Sequence, residues 1–264
     1  MKIISKTGAV FCRGVVVLLA MCVAFAGLIF RAPVQAQAEG GKYALIYNGP
    51  VSAEDCPEAA AAIAQSVGLK VKFVSNVGEL PTLLKNTAVF IIGGTEDDLH
   101  PLVKAFTPKV TEALKDYLRN GGRYLGICGG GFMASTGWNE GRTFVQGLGI
   151  IPAKSKVYRD DFAARIIPVR WQGKTRPMFF KAGPSFQLVN SSGDAQVIAN
   201  YEDDSIAALI CSYGQGKLAV CGPHPEARPS WKDEAAADGY QWTSSIDLAV
   251  DFIKDLLSDR PVKR

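Results

Sequence analysis

GGRYLGICGGGFMAS, residues 121–135, decides how this chain reads. Arg123–Ile127 is a short apolar run after the helix-stopping Asn120–Gly121–Gly122, and it reads as a buried strand. Gly129–Ser135 reads as the opening of a helix. Cys128 therefore lies where a strand turns into a helix, inside a G-x-C-x-G pattern made with Gly126 and Gly130. A sharp turn of that kind exposes its central side chain and crowds the backbones around it. Glycine two residues before and after is then a steric requirement. At the head of a helix, partial positive charge favours the thiolate, which is the nucleophilic form of cysteine. The competing reading is a structural cysteine buried beside a glycine-rich turn. A base within reach separates the two.

The candidate base is in GPHPEARP, residues 222–229. Pro223 and Pro225 flank His224, and proline keeps its neighbours out of the helical region. The stretch is extended, so alternate residues share a side and His224 and Glu226 face together. The carboxylate can hold one imidazole nitrogen and leave the other to take a thiol proton. The alternative is a solvated turn with no chemistry. Only one other histidine exists, His100, and it reads as a loop residue after Gly93–Gly94. Backbone N–H groups of Gly94 and Gly129 are the candidate donors for a developing oxyanion, if their loops converge.

Further out, short apolar runs alternate with helical segments. Tyr43–Tyr47, Val71–Val74 and Ala88–Ile92 read as strands, and Ala59–Val67 and Val110–Leu118 as helices. This alternation predicts an α/β fold, a three-layer, mostly parallel (flavodoxin-like) sheet with helices on both faces. From about residue 143 the second half is rich in β-hairpins. Ala164–Trp171, Met178–Leu188 and Gln196–Tyr201 read as strands. Ile206–Tyr213 and Lys217–Cys221 form a hairpin around Gly214–Gln215–Gly216. Ser244–Leu257 reads as a final helix.

Residues 1–38 have the three parts of a secretory signal peptide: basic Lys2, Lys6 and Arg13, an uncharged apolar run Gly14–Phe30, and the small-residue pattern Ala36–Gln37–Ala38. The expected location is periplasmic or secreted, with an uncleaved membrane anchor as the alternative. Residues 39–264 form the expected single domain and carry 25 basic and 25 acidic residues. That balance gives no nucleic-acid footprint and no polybasic membrane patch. Four cysteines remain: Cys56, Cys128, Cys211 and Cys221. Without a C-x-x-C and with two histidines in the chain, no metal site is expected. No cofactor signature appears. Two disulfides are conceivable in an oxidising compartment, Cys56–Cys128 across the sheet edge or Cys211–Cys221 in the hairpin.

The motifs YNGP (47–50), GG (93–94), GICGGG (126–131), KAGPSF (181–186) and GPHPE (222–226), in this order, resemble the class I glutamine amidotransferase-like superfamily. Within it the chain is similar to the amino-terminal domain of biotin–protein ligases. The resemblance implies a Cys128–His224–Glu226 triad with Gly94 and Gly129 as oxyanion glycines. The chain departs from amidotransferases at Phe132, where they carry a glutamine that helps bind substrate. It lacks the ligase catalytic domain and the GRGRxG-type biotin segment, so biotin ligation is not implied.

The expected function is amide hydrolysis through an acyl-enzyme, on a small-molecule or peptide amide. The alternative is a non-catalytic or redox-regulated ligand-binding module. Trp138, Tyr158, Trp171, Phe186 and Trp242 are aromatic candidates for a pocket wall, with burial in the core as the alternative. Export predicts a mature chain that starts at Glu39. Amino-terminal sequencing of protein recovered from outside the cytoplasm checks this, and an intact Met1 there indicates the anchor instead.

Overall fold

The computed structural model describes residues 43–189, 195–235 and 240–262. The expected signal peptide lies outside these residues. In chain order the first elements are β1 (Tyr43–Tyr47), α1 (Cys56–Ser66), β2 (Lys70–Val74), α2 (Leu80–Leu83), β3 (Thr87–Ile92), α3 (His100–Ala105) and α4 (Pro108–Arg119). β4 (Arg123–Ile127) and α5 (Gly129–Ala134) carry the elbow. Strands follow: β5 (Gly137–Glu140), β6 (Thr143–Gln146), β7 (Ala153–Val157), β8 (Arg165–Trp171), β9 (Lys174–Phe180) and β10 (Pro184–Leu188). β11 (Ala195–Asn200), β12 (Ile206–Tyr213), β13 (Gly216–Cys221) and α6 (Ile246–Leu257) complete the described chain.

One large sheet runs β2-β1-β3-β4-β13-β12-β11-β8-β9, with β10 joined to β12 and β7 to β10. The segment from β2 to β13 is parallel, and every further pairing is antiparallel. The expectation of a mostly parallel sheet is corrected on this point: the sheet is mixed. The reason is connection length. Parallel neighbours need a crossover, which α1 and α4 supply, whereas two-residue turns allow only antiparallel return. Gln172 and Gly173, both at positive φ, make such a turn between β8 and β9. The stretch 178–188 is also not one strand. It breaks at Lys181–Ala182, where Ala182 has φ 50°, into β9 and β10. The β5–β6 hairpin and β7 gave no clear signal in the sequence.

Alternation along the strands builds two cores. Leu45 and Tyr47 of β1 and Phe90 and Ile92 of β3 pack with Leu114 and Leu118 of α4 and with Phe132 and Met133 of α5. Their neighbours Ala44, Ile46, Val89 and Ile91 pack with Ile63 of α1 and with Phe252 and Ile253 of α6. Strand side chains alternate between faces, so these clusters lie on opposite faces of the parallel segment. Each large apolar side chain fully buried there contributes about 1.5–3 kcal/mol.

The parallel strands bring four carboxyl ends to one edge, where open α/β sheets place ligands. β1 leads to Cys56, β3 to Gly93–Gly94, β4 to Cys128 and β13 to Gly222–Glu226. β13 pairs parallel with β4, and Cys221 stands opposite Ile127. The Cys128 amide donates to the Cys221 carbonyl at 2.8 Å, which locks the elbow to the strand that carries His224. Cys128 has φ 52° and ψ −108°. For a non-glycine residue this is a strained conformation, costing about 1–3 kcal/mol. The elbow glycines are dictated by contact. A Cβ on Gly126 would lie 2.5 Å from the Gly130 carbonyl oxygen, and one on Gly130 would lie 2.0 Å from that of Ile92. Gly130→Ala must therefore push two backbones apart. We expect it to lower unfolding stability by about 1–3 kcal/mol, measured by urea denaturation.

Candidate active site

Cys128, His224 and Glu226 converge and are almost out of water: 7%, 4% and 2% exposed. Glu226 Oε1 lies 2.8 Å from His224 Nδ1, so the ring's Nε2 is left for other work. The shared face expected from the two prolines is the face observed. The His224 N–H donates to the Phe179 carbonyl at 2.9 Å, an isolated bridge to β9 that fixes the backbone. The imidazole stands edge-on to Phe179 and Trp231, with ring centroids 5.8 and 5.5 Å away. Both aromatics hold the ring's plane without competing for its nitrogens.

Burial alone would push His224 down, because it penalises the cation. The charges of Glu226 and Cys128, with side-chain hydrogen bonds from both, outweigh burial, and the ring is raised to about 10. A second observation points the same way. Glu226 Oε2 is buried with no hydrogen-bond partner among the described residues. A buried carboxylate in that condition needs a neighbouring cation, and the imidazolium is the one in contact.

Gly94 and Gly129 line the same cavity as Cys128 and His224. The Gly130 amide donates to the Gly93 carbonyl at 3.2 Å, so the two glycine loops do meet. A Cβ on Gly129 would lie 2.0 Å from Thr95 Oγ1. One on Gly94 would lie 2.6 Å from Cys56 Sγ and 2.9 Å from His224 Cε1. Only hydrogen fits at either position.

Cys56 is therefore part of the site, where the sequence placed it only as a neighbour at the sheet edge. Its thiol is pushed up by burial and by the charges of Glu226 and Cys128, and a hydrogen bond from the Gly94 backbone opposes this. No disulfide joins the four described cysteines. The Cys211–Cys221 pairing is excluded by register: Cys211 faces Leu218, and Cys221 faces Ala208. His100, expected in a loop, starts α3. It is exposed and bonds Glu140 at 2.9 Å, on the rim of the cavity rather than at the thiol.

The cavity over Cys128 measures about 410 Å³, within the range of small-molecule sites. Of the aromatic candidates, Trp138 lines it; Tyr158, Trp171 and Phe186 pack in the two cores instead, and Trp242 against the small cluster around Trp231. Phe132, Phe179 and Trp231 also line it and were not anticipated as walls. No group of three or more potential metal ligands occurs among the described residues. No helix among them is long and apolar enough to cross a membrane.

Residues 44–146 match the family described as "Biotin-protein ligase, N terminal". The match spans Gly94, Cys128 and Gly129 and stops before His224. No curated protein matches the chain. Among solved structures, a glutamine amidotransferase aligns with a TM-score of 0.52 at 16% identity, over 69% of this chain and 90% of that one. PurLQS from Thermotoga maritima aligns with a TM-score of 0.55 at 16% identity, over 80% of this chain and 97% of that one. The protein SMU.1228c gives 0.54 at 12% identity, over 82% and 100%. At such identities the likeness is one of fold. Residues 44–146 are thus similar to the biotin–protein ligase N-terminal family, within a chain whose fold is like that of a glutamine amidotransferase of known structure.

Proposed function

We propose that this protein is a cysteine-nucleophile hydrolase of amides, acting outside the cytoplasm. The observation that carries the reading is the buried Glu226–His224 hydrogen bond, with His224 in turn interacting with the strained Cys128. Nonpolar walls and lost solvation make that arrangement costly, and a purely structural cysteine has no need of it. In the reaction, Cys128 Sγ bonds to the amide carbonyl carbon, with its proton on His224 Nε2. The carbonyl oxygen gains the negative charge; the Gly129 amide is the first donor within the cavity, and the Gly94 amide, which bonds Cys56 Sγ in this structure, is the second once it turns from that thiol. His224 passes the proton to the leaving nitrogen as the C–N bond breaks. Water then adds to the thioester, giving its proton to His224. The thiol leaves and the carboxylic acid departs. Glu226 accepts from Nδ1 and orients the ring.

A second reading, a redox-gated binding module, draws on Cys56 lining the same cavity as Cys128. Non-reducing peptide mapping of protein isolated without reductant separates the two. A Cys56–Cys128 crosslink in most molecules favours gating, and reduced thiols throughout remove it.

For the hydrolase, iodoacetamide is expected to alkylate Cys128 at least about tenfold faster than Cys56, Cys211 or Cys221 in native protein. Mass mapping over time measures this. Removing His224 alone strands Glu226 as a buried unpaired charge, at a cost of about 3–5 kcal/mol. The informative variant is therefore the neutral pair His224→Gln with Glu226→Gln, which should fold and lose the selective labelling. Equal slow labelling of all four thiols in the wild type would count against the nucleophile.

The pH behaviour has a definite sign. The folded-state value of His224 is raised from 6.5 to about 10. Its stabilising contribution is thus complete below pH 6.5 and lost as pH rises through about 10. Nitrogen-15 NMR of the imidazole at pH 8 should show a protonated ring in the wild type. In Glu226→Gln the largest contribution raising the ring is gone, and the protonated fraction at pH 8 should fall.

A further inference from the structure

The cavity has a chemical character that the triad does not explain. We propose that the amide held over Cys128 carries a cationic group, an ammonium or guanidinium, between the cavity's aromatic walls and its carboxylates. This rests on the reading of Cys128 as the nucleophile and adds the class of substrate.

Three observations meet here. The first is charge. Glu54, Glu96, Asp97, Glu140 and Glu234 line the cavity, against Lys181 and His224, the latter already paired with Glu226. Residues 39–264 carry equal numbers of acidic and basic residues, so the excess is local. The five acids arrive on separate segments: the loops after β1 and β3, the end of β5, and the turn after Trp231. Convergence from four places in the fold is not a run of charge along the chain. A cleft of one sign concentrates ligands of the other.

The second is preorganisation. Glu140 is fixed by two contacts, Oε1 accepting from Trp138 Nε1 at 2.8 Å and Oε2 beside His100 Nε2 at 2.9 Å. Glu54, Glu96, Asp97 and Glu234 have no ion-pair partner among the described residues. Lys181 does not neutralise them either.

The third is the walls. Phe132 and Trp138 stand edge to face at 5.5 Å, and Phe179 and Trp231 pack at 5.3 Å. All four line the cavity. Aromatic faces attract desolvated cations and offer nothing to a carboxylate. Phe132 can make no hydrogen bond to a neutral polar side chain such as that of glutamine. A cation is the group that gains from both kinds of wall.

Charged thiol reagents read this field without requiring turnover. Cys128 is modified with trimethylammonium-ethyl and with sulfonato-ethyl methanethiosulfonate, and its labelling is followed by peptide mass. At low salt the cation-to-anion rate ratio should exceed that of free 2-mercaptoethanol by about tenfold. High salt and the exposed double variant Glu96→Gln, Asp97→Asn should each bring it down by about threefold. Coumarin amides then locate the charge on the substrate. Amides with a free α-ammonium, with an N-acetylated lysyl or arginyl group, with an N-acetylated leucyl group and with a succinyl group are compared by kcat/KM. Preference for either cationic class supports the proposal and says which position carries the charge. A Cys128 that reacts readily with no preference for the cation overturns the substrate class and leaves the hydrolase standing. A Cys128 inert to both reagents and to iodoacetamide takes down both.

Discussion

A carboxyl group removed from water with one oxygen unpartnered is costly, and in this protein His224 is the side chain that answers it. The Glu226–His224 contact is therefore the constraint to which the surroundings answer. Pro223 and Pro225 keep the segment extended, so the two side chains leave on one side. β9 grips the His224 amide. Phe179 and Trp231 brace the ring edge-on. Gly94 has given up its side chain so that the ring can lie against the β3 loop. Loosening any one of these leaves a buried charge looking for a partner, which is among the costlier faults a protein interior can have.

The elbow follows the same logic of space. Cys128 occupies a backbone conformation that side chains resist, and the surrounding glycines let three backbones come closer than a methyl group would permit. The strain is carried by the β4–β13 ladder and by the bond from the Cys128 amide to the Cys221 carbonyl. Local discomfort persists because regular structure on both sides over-determines it.

Much of this was legible in the residues. Glycine at Gly126 and Gly130 around a cysteine, after an apolar run, has few explanations other than a strand-to-helix corner. H-P-E directly after a strand is short enough that alternation alone sets its geometry. The parallel segment was readable because crossover helices leave a strong periodic signal. The mixed character of the sheet was harder to read, since apolar runs look the same in parallel and antiparallel neighbours. Two-residue turns with residues such as Gln172 at positive φ are weak signals. Cys56 was visible as a residue and invisible as a member of the site. Its place depends on a Gly94 contact between loops about forty residues apart, which no spacing encodes. The acids around the cavity were hidden for the same reason: each is an ordinary surface residue until four loops bring them together.

Thiol and imidazole hang from one support. The Cys128 amide is tied to Cys221, and His224 follows three residues later on the same backbone. The backbones that carry thiol and imidazole stay together while β4 remains paired with β13, and opening that pairing would dismantle the middle of the sheet. Swinging loops are thus a poor way to silence this pair. A ligand seated in the cavity above is the direct way to cover them.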